Sequence, residues 1–141
     1  MTRSGANGRS EGQSARQPRL VVIVDDDGSI RTSTRRLIRS FGYRAEAFAS
    51  GEEFLASPLA AVTACLVLDV RMPDMDGLEV QRRVVARDPE IPVVFISGRA
   101  SDDEERRARS AGAIDFLRKP IAAATLRQVL RTVFLTDDVG G

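Results

Sequence analysis

Short apolar runs alternate with amphipathic segments from residue 20 onward. The run Leu20–Val24 is apolar throughout and rich in β-branched residues, a pattern typical of a strand buried on both faces of a parallel sheet. The next segment places Ile30, Leu37 and Phe41 at the spacing of one helix face, and Gly42 follows as a helix terminator. The chain therefore begins with a strand followed by a helix.

The same alternation continues to residue 135. The predicted strands are Leu20–Val24, Tyr43–Phe48, Ala64–Leu68, Ile91–Ile96 and Ala113–Leu117. The predicted helices are the segment from Ile30 to Phe41, Gly51–Ala56, Gly77–Arg87, Ser101–Ser110 and Thr125–Leu135. Strands that alternate with helices of this length imply right-handed crossovers and a parallel sheet with helices on both faces. The predicted fold class is therefore α/β with a doubly wound sheet.

Composition indicates a single domain with a tail at each end. Residues 1–18 are mostly Ser, Gly, Arg and Gln, which bury too little apolar surface to offset the entropy lost on ordering, so a disordered tail is expected. Residues 19–135 carry the alternating pattern and are expected to form the domain, followed by a short C-terminal tail at 136–141.

Charge and residue counts exclude several classes of function. Lys and Arg total 21 against 20 Asp and Glu, so the net charge of +1 gives no reason to expect direct binding to nucleic acid or membranes. The chain has no His, which excludes a phosphohistidine, a His-ligated metal and a His-based triad on this chain. Cys65 is the one cysteine, so an internal disulfide is excluded and a small buried residue is expected. No apolar run has the ~18 residues of a membrane span, and no apolar region follows the N-terminal arginines as in a signal peptide, so a cytoplasmic protein is expected.

Polar residues with complementary chemistry follow the predicted strands. In chain order they are Asp25, Asp26 and Asp27 after the first strand, Asp69 after the third, Ser97 after the fourth and Lys119 after the fifth. Ligands of open α/β sheets bind at this edge, beyond the carboxyl ends of the strands. Clustered carboxylates repel one another unless a cation intervenes, and a carboxylate site with open positions suits Mg²⁺.

These residue types favour phosphoryl transfer to a carboxylate. Asp69 can act as a nucleophile toward phosphorus and form an aspartyl phosphate. Such chemistry depends mainly on positioning and on cations that neutralise the transferring group. Mg²⁺ and the ammonium of Lys119 could supply those cations, and the Ser97 hydroxyl could donate a hydrogen bond to the product phosphate.

Four ordered motifs resemble the CheY-like receiver domains of two-component response regulators. They are the segments Val22–Asp27, Leu66–Gly77, Val94–Gly98 and Asp115–Pro120. The resemblance covers residues 19–135, and the sequence around Asp69 is similar to that of transcriptional regulators of the FixJ type. It implies a flavodoxin-like sheet of five parallel strands in the order 2-1-3-4-5, with five helices.

The resemblance also implies a set of metal ligands. Asp69 would be the phosphoacceptor and a metal ligand, Asp26 a direct ligand, and Asp25 a ligand acting mainly through water. The backbone carbonyl of Arg71 would complete the protein ligands. The ion would be Mg²⁺, for which Mn²⁺ could substitute.

A switch is implied as well. Lys119 and Pro120 would be joined by a cis peptide that aims the Lys119 amine. Ser97 would move toward the phosphate, and Phe116 would fill the space behind it. The change would be read out on the surface of the fourth helix, the fifth strand and the fifth helix.

The implied function is a phosphorylation-activated signalling switch rather than an enzyme with a separate substrate. Its partners would be a sensor histidine kinase or a histidine phosphotransfer protein, and a downstream protein target or an output domain outside this chain. A phosphorylation-dependent homodimer is a further expectation. The alternatives are a receiver fragment of a DNA-binding transcriptional regulator and a pseudo-receiver that is not phosphorylated. A phosphatase of the haloacid dehalogenase type is disfavoured, because Val70 and Arg71 follow Asp69 where that family needs a second Asp.

The fourth helix departs from the family pattern. Residues 102–109 are charged except for Ala108, so weak packing is expected there. Arg71 and Arg99 lie two residues beyond Asp69 and Ser97. They either tune dephosphorylation or are ordinary exposed arginines.

Overall fold

The computed structural model describes residues 18–140, with side chains as far as residue 135. The predicted N-terminal tail lies outside the described residues, apart from Pro18. The strands are β1 (Leu20–Val24), β2 (Arg44–Phe48), β3 (Cys65–Leu68), β4 (Val93–Ser97) and β5 (Asp115–Arg118). The helices are α1 (Gly28–Ser40), α2 (Gly51–Ala56), α3 (Gly77–Arg87), α4 (Asp102–Ser110) and α5 (Ala123–Gly140), with a 3₁₀ helix at Pro58–Val62 that the pattern did not predict.

The strands form one parallel sheet in the order β2-β1-β3-β4-β5. Both the fold class and the 2-1-3-4-5 order are therefore confirmed. The register pairs Val24 of β1 with Phe48 of β2 and with Leu68 of β3, so these three strands end at the same level. Residues directly after β1 and β3 consequently lie next to each other.

The core has two parts, one on each face of the sheet. Successive side chains of a strand point to opposite faces. Val22 and Val24 of β1 pack in the cluster that includes Phe54 of α2 and Val80 of α3. Val21 and Ile23 face the cluster built on Ile38 of α1 and on Leu126, Leu130, Val133 and Phe134 of α5. This explains why β1 is apolar at every position, since neither face of the strand meets water.

The last helix is longer than predicted. It begins two residues before Thr125 and its backbone continues to Gly140, through most of the segment expected to be a tail. No Gly or Pro interrupts the sequence between Thr125 and Val139, so nothing local stops the helix after its buried stripe ends. None of the helices within residues 18–140 has the combination of length and hydropathy that crossing a membrane requires.

Helix α4 packs weakly, as its composition predicts. Of its nine residues, all within the described range, Ala108 is the only one that is buried. A fully buried Leu or Val contributes ~1.5–3 kcal/mol, and α4 has no such side chain. Polar contacts hold it instead: Ser101 and Glu104 form a capping box at its start, and the Gln81 amide of α3 donates to the Ala108 carbonyl at 3.0 Å.

The start of α3 lies against the loop that follows β3. The Gly77 N–H donates to the Val70 carbonyl at 2.9 Å. A Cβ at Gly77 would overlap the backbone carbonyl of Asp69. Glycine is therefore required for close backbone contact, and α3 supports the backbone of Asp69 directly.

Burial predicts that Cys65 is chemically inert in the folded protein. The side chain is fully buried in β3, and burial raises the pKa of its thiol to about 12. Because the thiolate is the reactive form, a thiol reagent at neutral pH should leave the native protein unlabelled and should modify one thiol per chain in denaturant. Rapid labelling of the native protein would contradict the buried position.

Replacement of Gly77 by Ala should destabilise the fold. The added methyl group forces the backbone of α3 away from Asp69, and overpacking of this kind costs typically ~1–3 kcal/mol. Urea unfolding should show that decrease in the free energy of unfolding. Gly28→Ala is the matched control, because a Cβ there meets only the end of the Arg31 side chain. Equal stabilities of Gly77→Ala and Gly28→Ala would contradict the close contact.

Candidate functional site

Two buried carboxylates are placed side by side by the sheet ladder itself. The Asp25 N–H donates to the Phe48 carbonyl at 3.2 Å, and the Asp69 N–H donates to the Val24 carbonyl at 3.0 Å. Each aspartate thus prolongs its strand by one hydrogen bond beyond the last regular pair. Asp25 is 3% exposed and Asp69 is 7% exposed.

Asp26 completes a group of three carboxylates at this edge. One oxygen from each of Asp25, Asp26 and Asp69 lies within 4.8 Å of the other two, and Asp26 is exposed. Asp27 has a different role, because its Oδ1 accepts the N–H groups of Ser29 and Ile30 at 2.9 and 3.2 Å and caps α1. The cap turns the chain so that Asp26 faces the same space as Asp69.

Lys119 bridges the two buried carboxylates. Its Nζ lies 2.9 Å from Asp25 Oδ2 and 3.4 Å from Asp69 Oδ2. The Lys119 N–H donates to the Ser97 carbonyl at 2.9 Å, so the residue continues the pairing of β5 with β4. The peptide bond between Lys119 and Pro120 is cis.

The pKa values of Asp69 and Lys119 reflect both their burial and the charges next to them. Burial, together with the neighbouring Asp25 charge, raises the pKa of Asp69, and Lys119 offsets only part of this. Burial acts to lower the pKa of Lys119, but the hydrogen bond to Asp25 and the charges of Asp69 and Asp25 outweigh it and raise the pKa. Lys119 is therefore a cation at neutral pH, next to a carboxylate that ionises with difficulty.

A polar cavity of about 380 Å³ opens above these residues. Its lining consists of Asp26, Asp27, Asp69, Arg71, Ser97, Gly98, Arg99 and Lys119. Ser97 is fully buried, and its Oγ accepts the Arg99 N–H at 3.4 Å. The Arg71 N–H points toward Asp69, at 3.4 Å from Oδ1. The structure thus brings the residues selected from the strand ends into the lining of one cavity, apart from Asp25, which contacts Lys119 beside it.

Phe116 of β5 is buried beside β4. Its ring is 5% exposed and stacks on Phe95, with 5.6 Å between ring centroids. The Arg118 guanidinium lies 5.2 Å from the centroid of the Phe116 ring. Movement of Phe116 into the space behind Ser97 on phosphorylation stays a prediction. A phenylalanine has no hydroxyl group to keep at the surface, so burial against Phe95 is favourable by itself.

The donor set fits a small divalent cation. Three carboxylates carry up to three negative charges, and the Lys119 ammonium that contacts two of them offsets one. Ligands placed ~2.0–2.1 Å from Mg²⁺ in an octahedron lie ~3–4 Å apart, so small side-chain rotations would bring these oxygens into that arrangement. Oxygen-only ligands and a polar cavity with room for water also suit Mg²⁺.

Sequence reasoning missed two arginines that support the site. Arg31 of α1 donates from Nη1 to the Asp25 carbonyl at 2.9 Å and ties α1 to the end of β1. Arg118 of β5 donates to the Ala100 carbonyl and pairs with Glu105 at 2.8 Å. Arg31 lies within α1 and Arg118 is the last residue of β5, but neither is next to an acid in the sequence, so no local signal distinguishes them from exposed arginines.

Comparisons with known proteins agree with this geometry. Residues 21–131 match the family model described as the response regulator receiver domain. The chain is 40% identical over 116 residues to the response regulator protein TmoT of Ectopseudomonas mendocina, covering 82% of this chain and 53% of that protein. It is 44% identical over 101 residues to nodulation protein W of Bradyrhizobium diazoefficiens, covering 72% of this chain and 44% of that protein. The chain spans about half the length of the curated relatives it matches.

Solved structures show the same fold. The chemotaxis protein CheY4 of Vibrio cholerae superposes with a TM-score of 0.76 at 30% identity, covering 82% of this chain and 98% of that chain. A CheY-like receiver domain protein from Methanospirillum hungatei superposes with a TM-score of 0.83 at 25% identity, covering 89% of this chain and all of that chain.

The raised pKa of Asp69 predicts that ionisation of this residue destabilises the metal-free protein. The folded state binds the proton of the Asp69 carboxyl more tightly than the unfolded chain does, so protonation of Asp69 stabilises the folded protein at low pH. This stabilisation is lost as pH rises through the folded-state pKa. Asp69→Asn removes the charge. In EDTA, urea unfolding should find Asp69→Asn more stable than the wild type at pH 7, and this gain should disappear toward pH 4.

Asp74→Asn is the control for loss of one negative charge. Asp74 is an exposed residue of the same loop, and its φ of 67° is a conformation that Asn also tolerates. A gain for Asp69→Asn that is independent of pH, or one that Asp74→Asn reproduces, would contradict the assigned cause.

Proposed function

Because the chain belongs to the response regulator receiver domain family, we propose that it is a switch that accepts a phosphoryl group on Asp69 with Mg²⁺ bound beside it. Members of this family are signalling switches of two-component systems rather than enzymes with a separate substrate. The observation that carries the proposal is the contact of the Lys119 ammonium with both Asp25 and Asp69 at the edge of the cavity. Two buried acids and a cation are held where a phosphoryl group could reach them.

The carboxylates of Asp26 and Asp69 would hold the metal directly. Asp25 would act mainly through water, because its carboxylate already accepts the Asp27 N–H and the Lys119 ammonium. The Arg71 carbonyl is the fourth proposed protein ligand. When bound, Mg²⁺ supplies positive charge to the phosphoryl oxygens during transfer.

Transfer requires one new bond and the loss of one. An Asp69 carboxylate oxygen forms a bond to phosphorus, while the bond from phosphorus to the donor atom breaks and the donor keeps the electron pair. Lys119 is placed to neutralise charge on the transferred group, because its Nζ is 3.4 Å from Asp69 Oδ2. The Ser97 hydroxyl, which lines the same cavity, would donate to a phosphoryl oxygen.

The donor and the target are proposed by class. With no His among these 141 residues, a histidine phosphoryl donor must lie outside this sequence, and a sensor histidine kinase or histidine phosphotransfer protein fits. The target is an output domain or a separate protein that contacts α4, β5 and α5, and a phosphorylation-dependent homodimer through the same surface is a further option. The family match at 21–131 supports residues 19–135 as the receiver unit. The unpaired Cys65 suits the reducing cytoplasm.

A pseudo-receiver that binds partners without phosphorylation is the alternative function. The presence of the acids, the hydroxyl and the lysine around one cavity favours the phosphorylated switch. A pseudo-receiver has no requirement for two buried carboxylates that raise the free energy of the folded state.

Acetyl phosphate should phosphorylate the wild-type protein in the presence of Mg²⁺. Intact-protein mass spectrometry should find one added phosphoryl group, which EDTA abolishes because the cation is then removed. Asp69→Ala should gain none, and Lys119→Ala should gain it at least ~10²-fold more slowly, because a charge-stabilising group is lost.

Asp74→Asn is again the matched control and should react as the wild type does. Absence of the added mass in the wild type under these conditions would support the pseudo-receiver. Retention of the added mass in Asp69→Ala would show that another residue is the acceptor.

A further inference from the structure

Ion pairs rather than apolar contacts attach the first turn of α4 to the rest of the domain. Arg118 of β5 pairs with Glu105 at 2.8 Å and with Asp102 at 3.5 Å. Arg71, in the loop after β3, pairs with Glu104 at 2.8 Å. Since α4 buries no large side chain, these contacts determine how firmly its first turn is held. The position of α4 therefore depends on the charges around it.

Of these ion pairs, the one between Arg71 and Glu104 is the one that another anion could most readily replace. Arg71 Nη2 donates to Glu104 Oε1, and the same oxygen accepts the Ser101 N–H at 2.9 Å within the capping box. The side chain of Arg71 is 51% exposed and that of Glu104 is 17% exposed. An ion pair with one exposed partner is weak, so a stronger anion nearby can displace it.

Such an anion would arise in the cavity that Arg71 lines. Arg71 and Asp69 line the same cavity, two residues apart in the sequence. A phosphoryl group adds ~1.5 to 2 negative charges and three acceptor oxygens. Glu104 offers one negative charge, and a guanidinium binds phosphate through paired hydrogen bonds. Phosphate on Asp69 would therefore compete with Glu104 for Arg71.

We propose that Arg71 is an exchangeable tether, which pairs with Glu104 when Asp69 is unmodified and turns to the phosphoryl oxygens when Asp69 is phosphorylated. The first turn of α4 is then released, while Arg118 still holds the helix to β5. This inference rests on the proposed function and adds a regulatory role for Arg71. The weak packing of α4 is a condition for this release. A helix held by a large buried side chain would not be released by the loss of one ion pair.

Variants of Arg71 and Glu104 distinguish the ion pair between them from the role of Glu104 in the helix cap. Glu104→Gln removes the charge but keeps a side chain that can complete a capping box. Arg71→Gln removes the charge from the other partner. Arg106→Gln is the matched control, because it breaks an ion pair of the same helix, with Asp103 at 2.9 Å, that does not contact the cavity.

Hydrogen–deuterium exchange of residues 101–106 tests the proposal when the phosphoryl content of the same samples is measured by intact mass. In the unmodified proteins, Arg71→Gln and Glu104→Gln should exchange these amides ~2- to 5-fold faster than the wild type, the factor expected for one weak ion pair, and Arg106→Gln should not. Acetyl phosphate with Mg²⁺ should accelerate the wild type and Arg106→Gln by a similar factor. It should produce no further acceleration in Glu104→Gln or Arg71→Gln.

The two proposals fail in different ways. If the wild type gains the phosphoryl group and Glu104→Gln still shows full acceleration on phosphorylation, the tether is excluded and the proposed function stands. Equal exchange rates of all four unmodified proteins exclude the tether as well. If the mass of the wild type shows no phosphoryl group, the proposed function itself is overturned, and the tether with it.

Discussion

Repulsion between the carboxylates of Asp25 and Asp69 is the constraint on which the site depends. The ladder hydrogen bonds from Asp25 to Phe48 and from Asp69 to Val24 hold both residues at the ends of adjacent strands, so their backbones cannot separate without loss of sheet pairing. Burial strengthens the repulsion, because water is no longer available to screen it. The folded chain therefore needs positive charge at this point, and Lys119 supplies part of it from the end of β5.

The same constraint links the site to the elements around it. Arg31 of α1 holds the carbonyl of Asp25, and the cap at Asp27 sets the direction of α1. On the other side, Gly77 lets α3 lie directly against the carbonyl of Asp69. The backbones of Asp25 and Asp69 are thus fixed from two sides. A change in charge at Asp69 is therefore expected to move side chains and weakly held elements rather than the strands.

Helix α4 is a weakly held element that pairs with Arg71, two residues after Asp69. Its attachments include the small buried Ala108, one amide hydrogen bond from Gln81 and ion pairs to Arg71, Arg118 and Asp115. Electrostatic attachments respond to a new anion in a way that buried apolar contacts do not, since the effect of the anion extends to neighbouring charges. The proposed release of α4 on phosphorylation depends on this difference.

The sequence by itself determined the alternation of strands and helices, and with it the edge at which the acids, the serine and the lysine would meet. Those features follow from local periodicity and from the rule that the carboxyl ends of parallel strands share one edge. The strand order was available only through resemblance to known receiver domains. The 3₁₀ helix at Pro58–Val62 and the extension of α5 to Gly140 were missed, because a single short turn and an uncapped helix end leave little periodic signal.

Tertiary structure alone decided which charged side chains became partners. Arg71 and Glu104 are 33 residues apart, and Arg118 and Glu105 are 13 apart, so no spacing rule pairs them. The stacking of Phe116 on Phe95 likewise depends on the pairing of β5 with β4. The chemistry of single residues can be identified from a sequence, whereas contacts between distant exposed side chains depend on how the helices lie on the sheet.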